Sequence, residues 1–242
     1  MSGESGRAIA ARLRSLSAER KNADWSELPR EAADLIRKDP FALLTAVCFD
    51  RGMPWVRAWS IPYEIARRGF LRAELLAEMS EPEVESLLDD LPVRPRYGTR
   101  RGAETISDAA RLVRDQYDGD AGNIWRDAAP AEVETTLLRI RGVGKGIAAM
   151  TTRILYDDFD CFRGKERQID IKPDSHLLRV FQRTGLIARQ SAQEAISAAR
   201  RLSPDFPGAI DWSAWTVGRR WCHQTSPECD ACYLAAECPR QI

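Results

Sequence analysis

Four of the six cysteines, Cys222, Cys229, Cys232 and Cys238, fall close together near the end of the sequence with the spacing C-x6-C-x2-C-x5-C. Spacings this short bring four thiolates around one centre without a long loop to order, so metal binding is the first expectation. Zinc accepts four thiolates in a tetrahedron. Iron–sulfur clusters use the same ligand type, and ligand chemistry alone leaves both open. A disulfide framework is not expected in a cytosolic chain of this size. Cys48 lies inside the apolar run Phe41 to Phe49 and reads as a core residue, and Cys161 stands outside the pattern. His223 adjoins a ligand cysteine and reads as an ordinary loop histidine rather than a fifth ligand.

A second set of residues could grip a phosphate. In LLRIRGVGKGIAAM, Leu137 to Met150, an amphipathic helix is expected to end near Ile140. A second helix is expected to carry Ile147, Met150 and Ile154 on one face, beyond the turn Gly142-Val143-Gly144. The two glycines let the backbone turn tightly and approach an anion with no Cβ in the way. The N–H groups freed at the start of the second helix then point at that anion. Such a contact holds a nucleic-acid backbone and reads no sequence. An ordinary packing hairpin is the plain alternative. Thirty residues after Gly144, in IKPDSHLLRVFQRTGL, Asp174 precedes a helix through Leu177, Val180 and Phe181 that Gly185 stops. Its plain role is an N-cap. An acid fixed at a helix start is also well placed to face a substrate.

The elements that must position these groups read as helices. Apolar residues recur at helical spacing in Ile9–Leu13–Leu16, Leu71–Leu75–Leu76 and Val133–Leu137–Ile140. Breakers separate them at Asp39-Pro40, Ser80-Glu81-Pro82, Asp118-Gly119-Asp120 and Ala129-Pro130. No stretch alternates long enough for a sheet, so the fold class is all-α. The segment Asp157 to Pro173 is polar with isolated apolar residues and is expected to loop out. With 242 residues, 44% of them hydrophobic and 30% charged, the chain can bury a sizeable core. Its formal net charge of zero argues against attraction of the whole molecule to a polyanion. Local clusters would have to serve, and two exist: Arg94, Arg96, Arg100 and Arg101 with no acid between them, and Arg219-Arg220 just before the cysteines. The apolar runs are too short to span a bilayer, and MSGESGRAIAARLRSL lacks the apolar core of a secretory signal. No membrane and a cytoplasmic location are expected.

The segment GRRWCHQTSPECDACYLAAECP resembles the C-terminal cluster loop of the endonuclease III family of DNA glycosylases. The likeness extends to the Gly-Arg before the first cysteine and the proline two residues before the second. Asp174 with Ser175-His176 and Arg179-Val180 resembles the V-D-T-H-like motif that carries the family's essential aspartate. The resemblance runs from Asp39-Pro40-Phe41 to Pro239. It implies a [4Fe–4S] cluster on Cys222, Cys229, Cys232 and Cys238. It also implies the two-lobed helix-hairpin-helix glycosylase fold. A helical barrel over residues 39–156 would include the hairpin, and a discontinuous lobe of residues 1–38 and 157–242 would carry Asp174 and the cluster loop. The implied partner is double-stranded DNA with a damaged or mismatched base, bound by a nucleoid-associated monomer. Gly142, Gly144, Lys145, Gly146, Arg100, Arg101, Arg219 and Arg220 are the expected DNA contacts.

Two departures from the family bear on chemistry. Bifunctional relatives place a lysine two residues after the second hairpin glycine, where it attacks the sugar and forms a Schiff base. Here that position is Gly146, and Lys145 is one residue early, a rotation of about 100° on a helix. The expectation is a monofunctional enzyme that flips the base from the duplex, uses Asp174 and water, and leaves an abasic site. A bifunctional enzyme using Lys145 is one alternative. A protein that binds DNA or senses redox state without catalysis is another. Second, family members carry a glutamine-rich stretch after the helix that follows Pro40. This chain has Phe49-Asp50-Arg51-Gly52-Met53-Pro54-Trp55 there. Arg51, Met53 and Trp55 are candidates to wedge into the stack or line the base pocket, with a core role the alternative for Met53 and Trp55. The acid expected in the adenine-mismatch branch is missing, so adenine is not the expected base.

Overall fold

A computed structural model of the chain describes residues 3–19 and 25–241. The described residues are helical, without a β-strand. In chain order the helices are α1 (Gly3–Ala18), α2 (Arg30–Lys38), α3 (Pro40–Phe49), α4 (Trp55–Ala66), α5 (Ala73–Glu78) and α6 (Glu81–Asp89). There follow α7 (Thr99–Gln116), α8 (Pro130–Leu137), α9 (Lys145–Phe159), α10 (Ser175–Arg183), α11 (Ala192–Leu202) and α12 (Asp211–Arg220), with short 3-10 turns between some of them. The chain divides into two compact units, one of Asp24–Thr151 and one of Met1–Ala23 with Thr152–Ile242. Among the described residues, no helix is long and apolar enough to cross a membrane.

The unit Asp24–Thr151 is built around α3. Asp39 caps it, its Oδ1 accepting from the Phe41 and Ala42 amides at 2.8 and 3.2 Å, and Pro40 presets the first turn. Every residue from Phe41 to Phe49 is buried, so this helix is apolar on all sides and must lie inside its unit. Helices α2, α4 and α7 pack on it. Because Ala32, Ala33 and Ile36 of α2 are buried and that helix packs on α3 and α4, this unit takes in residues ahead of Asp39. Gly102 lets α7 approach closely: a Cβ there would lie 2.9 Å from Pro95 Cγ and 3.2 Å from Phe49 Cε1.

In the other unit, Ile9 and Leu13 of α1, Phe181 of α10 and Val217 of α12 share one core with Leu234 from the cysteine segment. Helices α10 and α12 meet at Gly218, where a Cβ would come within 2.8 Å of His176 Cβ and 2.9 Å of its carbonyl oxygen. The segment expected to loop out does not hang free. Ile169 and Ile171 are fully buried, and the Ile169 carbonyl accepts from the Gly208 amide at 2.8 Å. Its isolated apolar residues are anchors, which a pattern of period cannot reveal.

Candidate functional site

The hairpin lies in the unit Asp24–Thr151. Helix α8 stops at Leu137, earlier than expected, and a tight turn follows in which the Ile140 amide donates to Leu137 O and the Val143 amide to Ile140 O. Gly142 then takes φ +85°, a left-handed conformation that a side chain would strain. The Gly144 carbonyl accepts from the Ile147 and Ala148 amides at 3.0 and 3.1 Å and so opens α9. Val143 and Ile147 are buried and anchor the turn, whereas Gly142, Gly144 and Lys145 are exposed. Nothing lies within 4 Å of where a Gly144 Cβ would stand, so this face is open to an anion. Gly146, the second residue of α9, is half-buried.

Two arginines brace the turn from either flank. Arg51 Nη1 donates to the Gly142 carbonyl at 2.5 Å and Nη2 to Thr105 Oγ1 at 2.9 Å, while its guanidinium stacks 3.7 Å from the Tyr97 ring centroid. Arg141 Nε donates to Asp108 Oδ2 at 2.7 Å, and Nη2 reaches Asp108 Oδ1 and Glu81 Oε1 at 2.8 and 2.5 Å. Hydrogen bonds and charge from Arg141 hold the Glu81 carboxyl below its ordinary range. Partial burial alone would raise Asp108, but the bonds to Arg141 outweigh it and hold that carboxyl low as well. Arg100 and Arg101 are exposed in the first turn of α7, and the Arg101 carbonyl accepts from the same Thr105 hydroxyl that Arg51 meets.

In the second unit, Asp174 sits half-buried at the start of α10, with Oδ1 accepting from the Leu177 amide at 2.9 Å. The buried Arg179 ties this helix down. Its Nε donates to the Cys222 carbonyl at 2.6 Å and its Nη2 to the Gly218 carbonyl at 2.9 Å. Asp211, the first residue of α12, accepts from the Lys172 amide at 2.8 Å. Burial pushes its carboxyl up to about 6, with Arg153 and the Lys172 amide opposing and the neighbouring Asp174 adding to the rise.

The four cysteines Cys222, Cys229, Cys232 and Cys238 are half-buried and line one small cavity together with Val180 and Leu234. Burial pushes the Cys232 and Cys238 thiols up, and facing sulfurs add to the shift. Donors meet the sulfurs: Arg183 Nη1 lies 3.6 Å from Cys222 Sγ, the Arg240 amide 3.4 Å from Cys238 Sγ, and the Leu234 amide donates to Cys232. Among the described residues, no three His, Cys, Asp or Glu side chains form a group that could hold a single metal ion.

No protein-family model matches the chain. It is 27% identical over 162 residues to endonuclease III of Thermotoga maritima, a match covering 66% of this chain and 66% of that one. Three solved structures resemble it over nearly their full length. A trapped covalent endonuclease III–DNA intermediate in an estranged-adenine complex superposes with a TM-score of 0.67 at 19% identity, covering 97% of this chain and 94% of the other. A non-covalent endonuclease III–DNA complex gives 0.65 at 18% identity, with the same coverage. A thermostable thymine-DNA glycosylase gives 0.66 at 15% identity, covering 98% and 96%. The chain is similar in sequence to an endonuclease III and shares the helix-hairpin-helix fold of these structures.

Within that glycosylase fold, the residues singled out by sequence fall into several groups. Gly142, Gly144, Lys145 and Gly146 stand together on the hairpin. Arg51 was expected to wedge into DNA or line a pocket, but its guanidinium is bonded to the hairpin and stacked on Tyr97. Trp55 is half-buried and packs edge-on against Trp59, 6.1 Å between centroids, and Met53 is half-buried beside Pro54 at the entry to α4. Arg219 and Arg220 are exposed at the end of α12, with the Arg219 guanidinium 5.2 Å from the Trp215 ring centroid. His223 is a loop residue 3.5 Å from Glu228. Sequence reading missed Arg153, Arg141 and Asp211. Only Asp211 carried a local signal, as an acid opening the helix that leads to the first cluster cysteine.

Proposed function

We propose that this chain is a DNA glycosylase of base-excision repair that hydrolyses the N-glycosidic bond of a damaged or mismatched base flipped out of double-stranded DNA. The observation that carries the reading is the setting of Asp174. One carboxylate oxygen is fixed on the Leu177 amide, and Arg179 fixes the helix behind it. Oδ2 is then available to steer a water or to stabilise the positive charge that grows on the sugar as the bond breaks. The hairpin supports the DNA-binding half of the reading, because its exposed glycines and the start of α9 suit a phosphate.

The reaction is monofunctional in this reading. Gly146 stands where the bifunctional relatives carry a lysine, and the exposed Lys145, one residue earlier, would meet a phosphate bound at the turn. An exposed amine so near the hairpin keeps one second reading, attack on the sugar by Lys145. The cysteine cavity suits a [4Fe–4S] cluster, with all four thiols on its wall. A cluster spreads its sulfurs over four irons, and the N–H donors at Cys222 and Cys238 suit its charge. Bound there, it would supply a covalent tie for the end of the chain, held by Cys222, Cys229, Cys232 and Cys238. In this reading the chain acts on DNA in the nucleoid as a monomer.

The experiment is single-turnover cleavage of a panel of lesion-bearing duplexes, each analysed with and without alkali. Strand breaks that appear only after alkali, and vanish in Asp174→Asn, are the expected result. Breaks without alkali, with a borohydride-trapped adduct that Lys145→Ala removes, would move the reading to a glycosylase with lyase activity. Absence of base release from every duplex would overturn it.

A further inference from the structure

We propose that Asp211 is a positioning residue for Asp174 and a second negative charge at the same site, an inference that rests on the glycosylase reading above. The geometry is a short relay. Asp211 Oδ1 accepts from the Lys172 amide at 2.8 Å, and the Lys172 carbonyl accepts from the Asp174 amide at 2.8 Å. Pro173 lies between them with its φ locked by the ring. Holding Lys172 therefore sets the direction in which the chain enters the cap at Asp174.

Three charged groups face Asp211: Arg153 from α9, and Lys172 and Asp174 from the preceding loop. The buried Arg153 gives its Nε to Asp157 Oδ2 at 2.9 Å and lays its guanidinium 4.7 Å from the Phe206 ring centroid. Its Nη1 is buried without a hydrogen-bond partner among the described residues, and its charge acts on Asp211 through space. Enclosure of the Asp211 carboxyl brings its ionisation to about pH 6. Above that, the Asp211 carboxylate adds to the negative potential where positive charge develops on the sugar; below it, that contribution is lost. Base release should therefore slow as the pH falls through this range.

The test uses the full-length holoprotein. Single-turnover base release is followed from pH 5 to 8 for the wild type, Asp211→Asn and Asp211→Ala, and the Lys172 amide is titrated by 1H–15N NMR without DNA. The wild-type rate should rise about tenfold through pH 6, the scale of one nearby charge at intermediate dielectric. Asp211→Asn keeps an acceptor for the Lys172 amide and loses the charge. It should be flat at the low-pH rate, and its Lys172 amide should no longer titrate. Asp211→Ala, which also loses the acceptor, should be slower than Asp211→Asn at every pH. An Asp211→Asn enzyme that keeps the wild-type pH profile, or a wild-type Lys172 amide indifferent to pH, would overturn the inference. Unchanged base release in Asp174→Asn would instead sink the catalytic reading, and the amide titration would still decide whether Asp211 governs the loop.

Discussion

The two hairpin glycines look alike in sequence and should behave differently when changed to alanine. At Gly142 the backbone φ is +85°, and a Cβ would run into the Arg51 guanidinium. Placing a non-glycine residue in the left-handed region costs about 1–2 kcal/mol. Displacing Arg51 breaks its bonds to the Gly142 carbonyl and Thr105 and its stack on Tyr97. A hydrogen bond to a charged group contributes about 1.5–3 kcal/mol, taken at the low end because Arg51 is only half-buried. Against this, alanine lowers the entropy of the unfolded chain by about 0.4–1 kcal/mol. The net expectation for Gly142→Ala is a loss of about 2–3 kcal/mol. Gly144 has no positive φ and nothing within 4 Å of its would-be Cβ, so Gly144→Ala should be close to neutral in stability. Both should weaken binding to duplex DNA, Gly144→Ala by obstructing the phosphate and Gly142→Ala by distorting the turn. Urea denaturation beside fluorescence anisotropy with a short duplex separates the two effects. If Gly142→Ala matches the wild type in stability, or Gly144→Ala matches it in DNA affinity, the account of the hairpin is wrong.

Further expectations follow from the rest of the molecule. Gly218→Ala should force α10 and α12 apart, since His176 backbone and Cβ atoms occupy the space, at a cost of about 1–3 kcal/mol; calorimetry should show a melting temperature several degrees lower. Glu81 and Asp108 have folded pKa values below their unfolded ones, so their pairing with Arg141 stabilises fully above the unfolded values and is lost as pH falls through the folded ones. Arg141→Met should consequently make acid unfolding below about pH 4 less steep than in the wild type, as followed by circular dichroism. A brown protein with an absorption band near 400 nm and stoichiometric iron and sulfide is expected, and Cys232→Ala should bleach it; a colourless protein containing zinc would refute the cluster.

What could be read without coordinates was local. The cysteine spacing, the Gly-Val-Gly turn and the acid before Leu177 each sit within a few residues of the partners that give them meaning. Arg51 shows the other case. Its partner is the carbonyl of Gly142, ninety-one positions away, and nothing near Arg51 marks that pairing. Asp211 shows in sequence only as an acid opening its helix, and its partner, an amide 39 positions back, carries no side-chain identity. Helix α3 was legible as apolar, but that it is buried on every side depends on how many helices surround it. The polar stretch after α9 misled because two isoleucines suffice to pin it.

The buried Arg179 couples two parts of its unit. Its guanidinium sits between α10 and α12 and draws on the carbonyls of Gly218 and Cys222. The second belongs to the first residue of the cysteine set, so a disturbance there takes an acceptor from a buried cation, a loss of about 1.5–3 kcal/mol for a hydrogen bond to a charged group. Damage at the cysteines is therefore felt at the start of α10, where Asp174 caps the helix.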